Sequence, residues 1–235
     1  MLAAMIHGAR SYKQGQVTRD EALALIGQFR LPHKVEHVRA GLDEIEHYDG
    51  DLLVVDGDLR IDGDLDLNAE HAYVLVVRGS LTVGGAYCDY DDPESFLLVM
   101  GSMTARDVVT AGWLEVHGNL DVANHLIGDY NDCSAYVGGD VRARLLFPEE
   151  HHFDIGGEVD VQHALGIRSR IKAAKLPEFI EMDDKRLLDL FDPGLLRTFA
   201  DDDDDDGNPT IGIDGIEDFG EVKRRVRAGL PLRTP

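Results

Sequence analysis

Cysteine, long apolar runs and basic side chains are all scarce in this chain of 235 residues. The two cysteines, Cys88 and Cys133, are too few for a disulfide framework. No stretch approaches the roughly 18 consecutive apolar residues of a membrane-spanning helix. Residues 1–10 also lack the long apolar core of a signal peptide. These absences predict a soluble, cytoplasmic protein.

The shortage of basic residues gives the chain an extreme charge. It has 23 Lys and Arg against 45 Asp and Glu, which gives a formal net charge of -22. Such a surface repels nucleic acid and anionic membranes and attracts basic proteins or cations. We therefore expect a basic protein partner, no nucleic acid and no membrane. The chain itself is expected to be a monomer or a small homo-oligomer.

A short phrase is repeated six times between Leu52 and Val161. Each copy has a central glycine with apolar residues two and four positions away on each side. The central glycines, which lie 17 to 22 residues apart, are Gly57, Gly79, Gly101, Gly118, Gly139 and Gly157. Period-two alternation is typical of strands, and a repeat near 20 residues is too short to fold alone. The pattern predicts a mainly β, single-stranded β-solenoid of about six coils over residues 51–165.

The alternation also assigns each residue of a coil to the inside or the outside. The inside positions that we expect to be buried include Val55, Leu59, Val77, Leu81, Val116 and Leu120. The first three coils carry two outward apolar ladders, which are Leu52, Val74 and Phe96, and Val54, Val76 and Leu98. Because apolar patches of this kind are normally covered, either flanking helices of the same chain or a partner protein should lie on them.

The N-terminal flank, residues 1–50, has a helical pattern. Thr18 and Glu21 form a capping-box signature ahead of an apolar stripe, and Pro32 follows the stripe. The pattern predicts a helical N-terminal cap on the solenoid.

The C-terminal flank, residues 166–235, is also predicted to be helical. Its last helix places Val222 and Val226 on one face and a cluster of basic residues on the other. We expect this basic helix to dock on the acidic solenoid of its own chain. The run Asp201–Asp206 cannot be buried and repels itself, which predicts a mobile loop.

Three excursions between coils gather acids, tyrosines and histidines. The Asp-Tyr-Asp-Asp motif that starts at Asp89 has a counterpart 40 residues later at Asp129, a separation of two repeats that places both loops on the same side. The loops could be solvated turns, an interface in which tyrosines anchor a basic partner, or a site for Ca²⁺ or a transition metal. The partner-binding residues that we predict are Asp89, Tyr90, Asp91, Asp92, Asp129, Tyr130, Asn131, Asp132, Glu149, Glu150, His151 and His152.

The Gly-Asp-Leu phrases of the repeat resemble those of bactofilins, the polymer-forming β-solenoid proteins of bacteria. The matching phrases are Gly57-Asp58-Leu59, Gly63-Asp64-Leu65, Gly118-Asn119-Leu120 and Gly139-Asp140-Val141. The resemblance covers about 110 of the 235 residues. It implies a right-handed solenoid that stacks end to end into filaments. Long helical flanks and a charge of -22 depart from that pattern, because both oppose end-to-end association.

A compact, capped and acidic solenoid resembles in character the immunity proteins that accompany bacterial polymorphic toxins. That resemblance implies a non-enzymatic protein that binds and neutralises a cognate toxin. A filament-forming scaffold is the alternative, and a β-helix enzyme that acts on carbohydrate is the third. Ser80 and Ser102 on the outward columns have no His or Asp at a spacing that predicts a triad. We therefore predict no catalytic residues, no metal and no cofactor.

Overall fold

A computed structural model describes residues 6–47, 49–129, 132–201 and 210–233. The helices are α1 (Arg19–Ile26), α2 (Pro32–Asp43), α3 (Leu187–Leu190) and α4 (Phe219–Arg227). Short 3-10 turns lie at Ile45–His47, Arg168–Arg170 and Pro193–Leu195.

The strands form two long sheets and one hairpin. In spatial order, the first sheet contains β1 (Arg10–Ser11), β2 (Asp51–Val55), β5 (Ala72–Val77), β7 (Phe96–Val99), β9 (Trp113–Val116), β12 (Ser134–Val137), β14 (His152–Ile155) and β16 (Ile171–Lys172). The second sheet contains β3 (Leu59–Ile61), β6 (Leu81–Cys88), β8 (Met103–Thr110), β10 (Leu120–Val122), β13 (Val141–Phe147), β15 (Val159–Leu165) and β17 (Phe179–Ile180). Also in it are β4 (Leu65–Asp66), paired with β6, and β11 (His125–Gly128), paired with β8 and β13. The hairpin is β18 (Leu196–Asp201) with β19 (Thr210–Ile216).

Each coil of the chain contributes to both long sheets, and neighbouring coils pair in parallel. This confirms a mainly β protein with a solenoid of about six turns. The antiparallel exception in the first sheet is β1, which pairs with β2 through Arg10 opposite Val54. After the last predicted coil, β16 and β17 extend the first and second sheets respectively.

The central glycines form a column in which the backbones of successive coils come close. The N–H of Gly79 donates to the carbonyl of Gly57 at 2.8 Å, and Gly101 donates to Gly79 in the same way. A Cβ at Gly79 would lie 2.5 Å from the carbonyl carbon of Gly57. A side chain at this position would therefore force neighbouring coils apart, which explains why glycine is repeated.

A hydrogen-bonded ladder of polar side chains runs beside the glycine column. The side-chain oxygen of one residue accepts from the backbone N–H of the equivalent residue in the next coil, at 2.7 to 3.2 Å. Its members are Asp58, Ser80, Ser102, Asn119, Asp140 and Glu158. The Asp, Asn and Ser residues that follow the repeated glycines are therefore structural acceptors that tie each coil to the next.

The predicted inward register is confirmed. Leu81, Val77, Val116 and Leu120 have no exposed surface, and Val55 and Leu59 are 7% exposed. They belong to one apolar core between the two sheets. The period-two pattern therefore identified the inside of the solenoid correctly.

The two outward apolar ladders are covered by the chain's own N-terminal segment. All six ladder residues are at most 1% exposed, and they share one cluster with side chains of α1 and α2 such as Leu25, Ile26 and Val38. The Thr18 hydroxyl accepts from the N–H of Glu21 and caps α1 as predicted. Of the two alternatives for these ladders, cover by the same chain is confirmed.

The second sheet is covered by the C-terminal part of the chain. Val222 and Val226 of α4 are fully buried against the outer face of this sheet. Lys223 pairs with Asp129, and Arg225 pairs with Asp192. The predicted docking of this basic helix on the acidic solenoid is confirmed. The C-terminal flank also contains strands β16 to β19. Of the predicted acidic loop, positions 202–206 lie outside the described residues.

Candidate functional site

The three predicted loops lie along one edge of the solenoid. We call residues 89–95, residue 129 with residues 132–133, and residues 148–151 the first, second and third acidic loops. Each connects a strand of the second sheet to the next strand of the first sheet. The second and third loops touch, because Nδ1 of His151 lies 3.1 Å from the carbonyl oxygen of Asp129. Tyr130 and Asn131, which were predicted to contact a partner, lie outside the described residues.

Asp89 has a structural role rather than a place on this surface. Its side chain is fully buried, and its carboxylate accepts from the hydroxyls of Tyr87 and Thr110 at 2.8 and 2.9 Å. It also accepts from the N–H groups of Ala111 and Gly112, both at 2.7 Å. Burial raises the pKa of Asp89, and these four donors oppose that shift. The prediction that Asp89 contacts a partner is therefore corrected, since it closes the turn between two coils.

His151 is the second correction. It is fully buried, and its ring packs edge-on against Phe153 with the ring centroids 5.4 Å apart. A backbone carbonyl of the neighbouring loop lies next to its Nδ1. The histidine therefore joins two loops from the inside and does not face solvent.

Tyr90 and Asp129 are engaged by the chain's own helix α4. The Tyr90 hydroxyl donates to Asp66 at 2.5 Å, and the guanidinium of Arg227 lies 5.3 Å from the centre of the Tyr90 ring. Asp129 pairs with Lys223. The basic helix thus occupies this part of the predicted surface, as an external basic partner was predicted to do.

The remaining predicted residues keep solvent exposure. Asp91 and Glu149 are half-buried, and those that are exposed are Asp92, Asp132, Glu150 and His152. Nε2 of His152 lies 2.8 Å from a guanidinium nitrogen of Arg170. The prediction that these residues bind a partner remains a prediction.

A cleft of about 330 Å³ opens between the first acidic loop and helix α2. We call it the acidic cleft. Its lining residues are His37, Ala40, Gly41, Glu44, Tyr73, Asp91, Asp92, Pro93 and Glu94. Neither Lys nor Arg lines it, and Nε2 of His37 lies 2.6 Å from a carboxylate oxygen of Glu94.

An adjoining cleft of about 250 Å³ shares Tyr73, Pro93 and Glu94 and adds Asp49 and His71. The two clefts therefore adjoin at these three shared residues, and both are lined by carboxylates together with Tyr73 and Pro93. Asp91 and Asp92 were predicted from the sequence, whereas Glu44 and Glu94 were not. Glu44 comes from a segment 47 positions earlier than Asp91, and no periodicity in the sequence relates the two.

Replacing Asp89 with asparagine is expected to lower the free energy of unfolding by about 1–2 kcal/mol. Asparagine keeps one oxygen for the two backbone N–H groups, but its amide would face two hydroxyls that now donate to the carboxylate. Urea unfolding measures the loss. The matched control is Asp91→Asn in the same loop, where the change should stay within about 0.5 kcal/mol. Equal stability of the two variants would contradict a structural role for Asp89.

The described residues contain no cluster of three or more His, Cys, Asp or Glu side chains placed to hold a metal ion. Both cysteines are buried and unpaired with each other. Within the same ranges, no helix has the length and apolar content needed to cross a bilayer.

Comparison with protein-family models, with curated proteins and with solved structures gave no match. The resemblances to bactofilins and to immunity proteins therefore rest on the repeat phrase and on physical character alone.

Proposed function

We propose that this protein is a non-enzymatic solenoid that binds a basic protein, most specifically an immunity protein that neutralises a cognate bacterial toxin. The observation that supports the proposal is the acidic cleft, which is lined by the carboxylates of Glu44, Asp91, Asp92 and Glu94 together with Tyr73 and Pro93. A Lys or Arg side chain fits such a cleft, because its aliphatic stem can pack against apolar lining atoms while its charge meets the carboxylates.

The charge of the whole molecule favours the same kind of partner. A net charge of -22 steers a cationic protein toward the surface and raises its association rate. A rigid, stacked scaffold also loses little conformational entropy on binding. The internal pairing of Lys223 with Asp129 supports this, since a basic segment of the same chain already pairs with a carboxylate on this edge.

The proposal includes right-handed winding of the coils and a capping role for the flanking segments. Filament formation is less well supported, because several features oppose end-to-end stacking. β1 occupies the outer edge of β2, and the last strands, β16 and β17, have only two residues each. Carboxylates such as Asp58 and Asp62 lie beside the first strand of the second sheet. Short, covered or charged edges disfavour strand pairing between molecules.

Neutralising the acidic cleft is expected to weaken partner binding at least about tenfold, which corresponds to roughly 1.4 kcal/mol. The variant is Asp91→Asn/Asp92→Asn/Glu94→Gln, and the partner tested is the product of the adjacent gene. Protection during co-expression and association kinetics with the purified product are measured. Association of the wild type should also slow as salt rises above about 0.15 M.

The matched control is Asp160→Asn/Glu181→Gln/Asp183→Asn, which removes the same charge from exposed positions outside the clefts. This control should retain protection. Equal loss in both triple variants would indicate a general charge effect and contradict a specific cleft. A neighbouring gene product that is harmless when expressed alone would reject the toxin-neutralising form of the proposal.

A further inference from the structure

A separate cleft of about 320 Å³ lies on the outer face of the second sheet and shares no lining residue with the acidic cleft. We call it the His125 cleft. It is lined by His125, Arg144 and His163, which come from β11, β13 and β15 in successive coils. Two carboxylates, Asp107 and Asp189, also line the cleft, and Asp189 pairs with Arg233 at 3.2 Å. Residues 229–233 and the end of α3 form its other walls. The site therefore exists only when the C-terminal segment is docked on the sheet.

The imidazole of His125 is held in a fixed orientation by a buried carboxylate. Asp107 is 1% exposed, and its Oδ1 lies 2.7 Å from Nδ1 of His125. Its Oδ2 accepts from Nε of Arg106 at 2.6 Å. Another nitrogen of Arg106 donates to the carbonyl of Arg227 at the end of α4. A histidine whose Nδ1 is bound to a carboxylate leaves Nε2 for a ligand.

Nε2 of His125 has no hydrogen-bond partner within the described ranges, and the same is true of the side chains of Arg144 and His163. Arg142, two residues before Arg144 on β13, is different because it pairs with Asp121 at 3.1 Å. The Arg144 side chain is exposed, and no carboxylate of the described residues neutralises its charge. Its planar set of donors matches a phosphate or a carboxylate from outside the protein.

The walls of the His125 cleft are partly apolar. Leu145, Leu190 and Leu230 line it, and Leu230 is 44% exposed. A cleft with a few converging donors and apolar walls favours a small organic molecule over a bare inorganic ion. The cleft has enough volume for a compact ring or a short chain beside the charged group.

We propose that the His125 cleft binds a small organic anion, with a phosphate or carboxylate group on a compact apolar body. Arg144 binds the anionic group, and His125 donates to it from Nε2 when the ring is protonated. Asp107 acts as a positioning residue for His125. This proposal is independent of partner binding at the acidic cleft.

The test measures binding of inorganic phosphate, phenyl phosphate and benzoate by calorimetry and by the ring NMR signals of the histidines. We expect an organic anion to bind with a dissociation constant on the order of 1 mM or lower, and more tightly than inorganic phosphate. Preference for phenyl phosphate or for benzoate then identifies the anionic group. The signals of His125 and His163 should shift on binding.

Arg144→Gln should raise the dissociation constant at least about tenfold, while Arg144→Lys should lose less. The matched control is Arg142→Gln, which removes the same charge from the same strand outside the cleft and should bind as the wild type does. Asp107→Asn should weaken binding and alter the pH dependence of the His125 signal. Absence of binding of all three probes at about 10 mM, or equal losses in the Arg142 and Arg144 variants, would overturn the proposal.

Discussion

Deleting residues 1–47 is expected to convert the protein into a species that self-associates or aggregates. The deletion uncovers both outward apolar ladders on the first sheet, whose six members are at most 1% exposed in the intact chain. Burial of each such side chain is worth about 1.5–3 kcal/mol. The deletion also removes β1 and so frees the edge of β2 for pairing with another molecule. Light scattering, apolar dye binding and electron microscopy measure the result.

The ladders themselves can be tested in the truncated chain. Phe96 is central, because its ring stacks on Trp113 at 5.9 Å and meets Tyr73 and Phe29 edge-on. Replacing Phe96 and Leu98 with serine in the truncated chain should reduce dye binding and association. A truncated chain that stays monomeric and does not bind the dye would contradict the cover role of α1 and α2. Filaments formed by the intact chain would instead favour the scaffold alternative.

The features that could be predicted are those that repeat or have a strong local pattern. The glycine motif predicted which residues face the core, because side chains alternate strictly along a strand. A register error of one residue would have placed every core residue on the outer face. The outward ladders predicted that another segment packs on the first sheet, because three successive coils each carry two outward apolar side chains. Helix α4 could be placed because its buried valines and basic residues lie on different faces.

The features that sequence reasoning missed depend on single long-range contacts. The ladder from Asp58 to Glu158 consists of pairs one coil apart, yet the residues differ in type, so periodicity alone did not identify them as acceptors. Asp89 was expected on the surface because acids in loops usually are, but it satisfies four donors inside the turn. The two walls of the acidic cleft meet only in the folded chain.

A buried ion pair attaches helix α2 to the fourth coil. Lys34 and Glu115 both have 0% exposed side chains, and their charged groups lie 3.7 Å apart. Nζ of Lys34 also donates to the carbonyl of Leu114 at 3.3 Å and lies 5.7 Å from the centre of the Trp113 ring. Glu115 accepts from the backbone N–H of Arg30 at 2.6 Å. Glu115 occupies the outward position that Val54, Val76 and Leu98 hold in the first three coils.

Replacing Glu115 with alanine is expected to lower the free energy of unfolding by about 3–5 kcal/mol. The change leaves the ammonium of Lys34 buried without its counter-charge and the N–H of Arg30 without its acceptor. Lys34→Met should lower the free energy of unfolding by less. In this variant Glu115 keeps its hydrogen bond from the N–H of Arg30 and its contact with Nε2 of His117 at 3.0 Å. The double variant Lys34→Met/Glu115→Gln should be more stable than Glu115→Ala, since it buries no charge. Urea unfolding followed by the fluorescence of Trp113, the single tryptophan, reports on this contact directly.

The same pair predicts a dependence of stability on pH. Burial lowers the pKa of Lys34 to about 8 from its usual 10.5, although the charge of Glu115 opposes the shift. Between pH 8 and 10.5 the unfolded chain therefore binds more protons at this residue than the folded chain does, so its contribution to the free energy of unfolding rises with pH. The contribution amounts to about 3 kcal/mol over the whole window. Other groups titrate there too, so the quantity to measure is the difference between the wild type and Lys34→Met at pH 7, 8, 9 and 10. A difference that stays constant over this range would show that Lys34 does not release its proton in the folded protein.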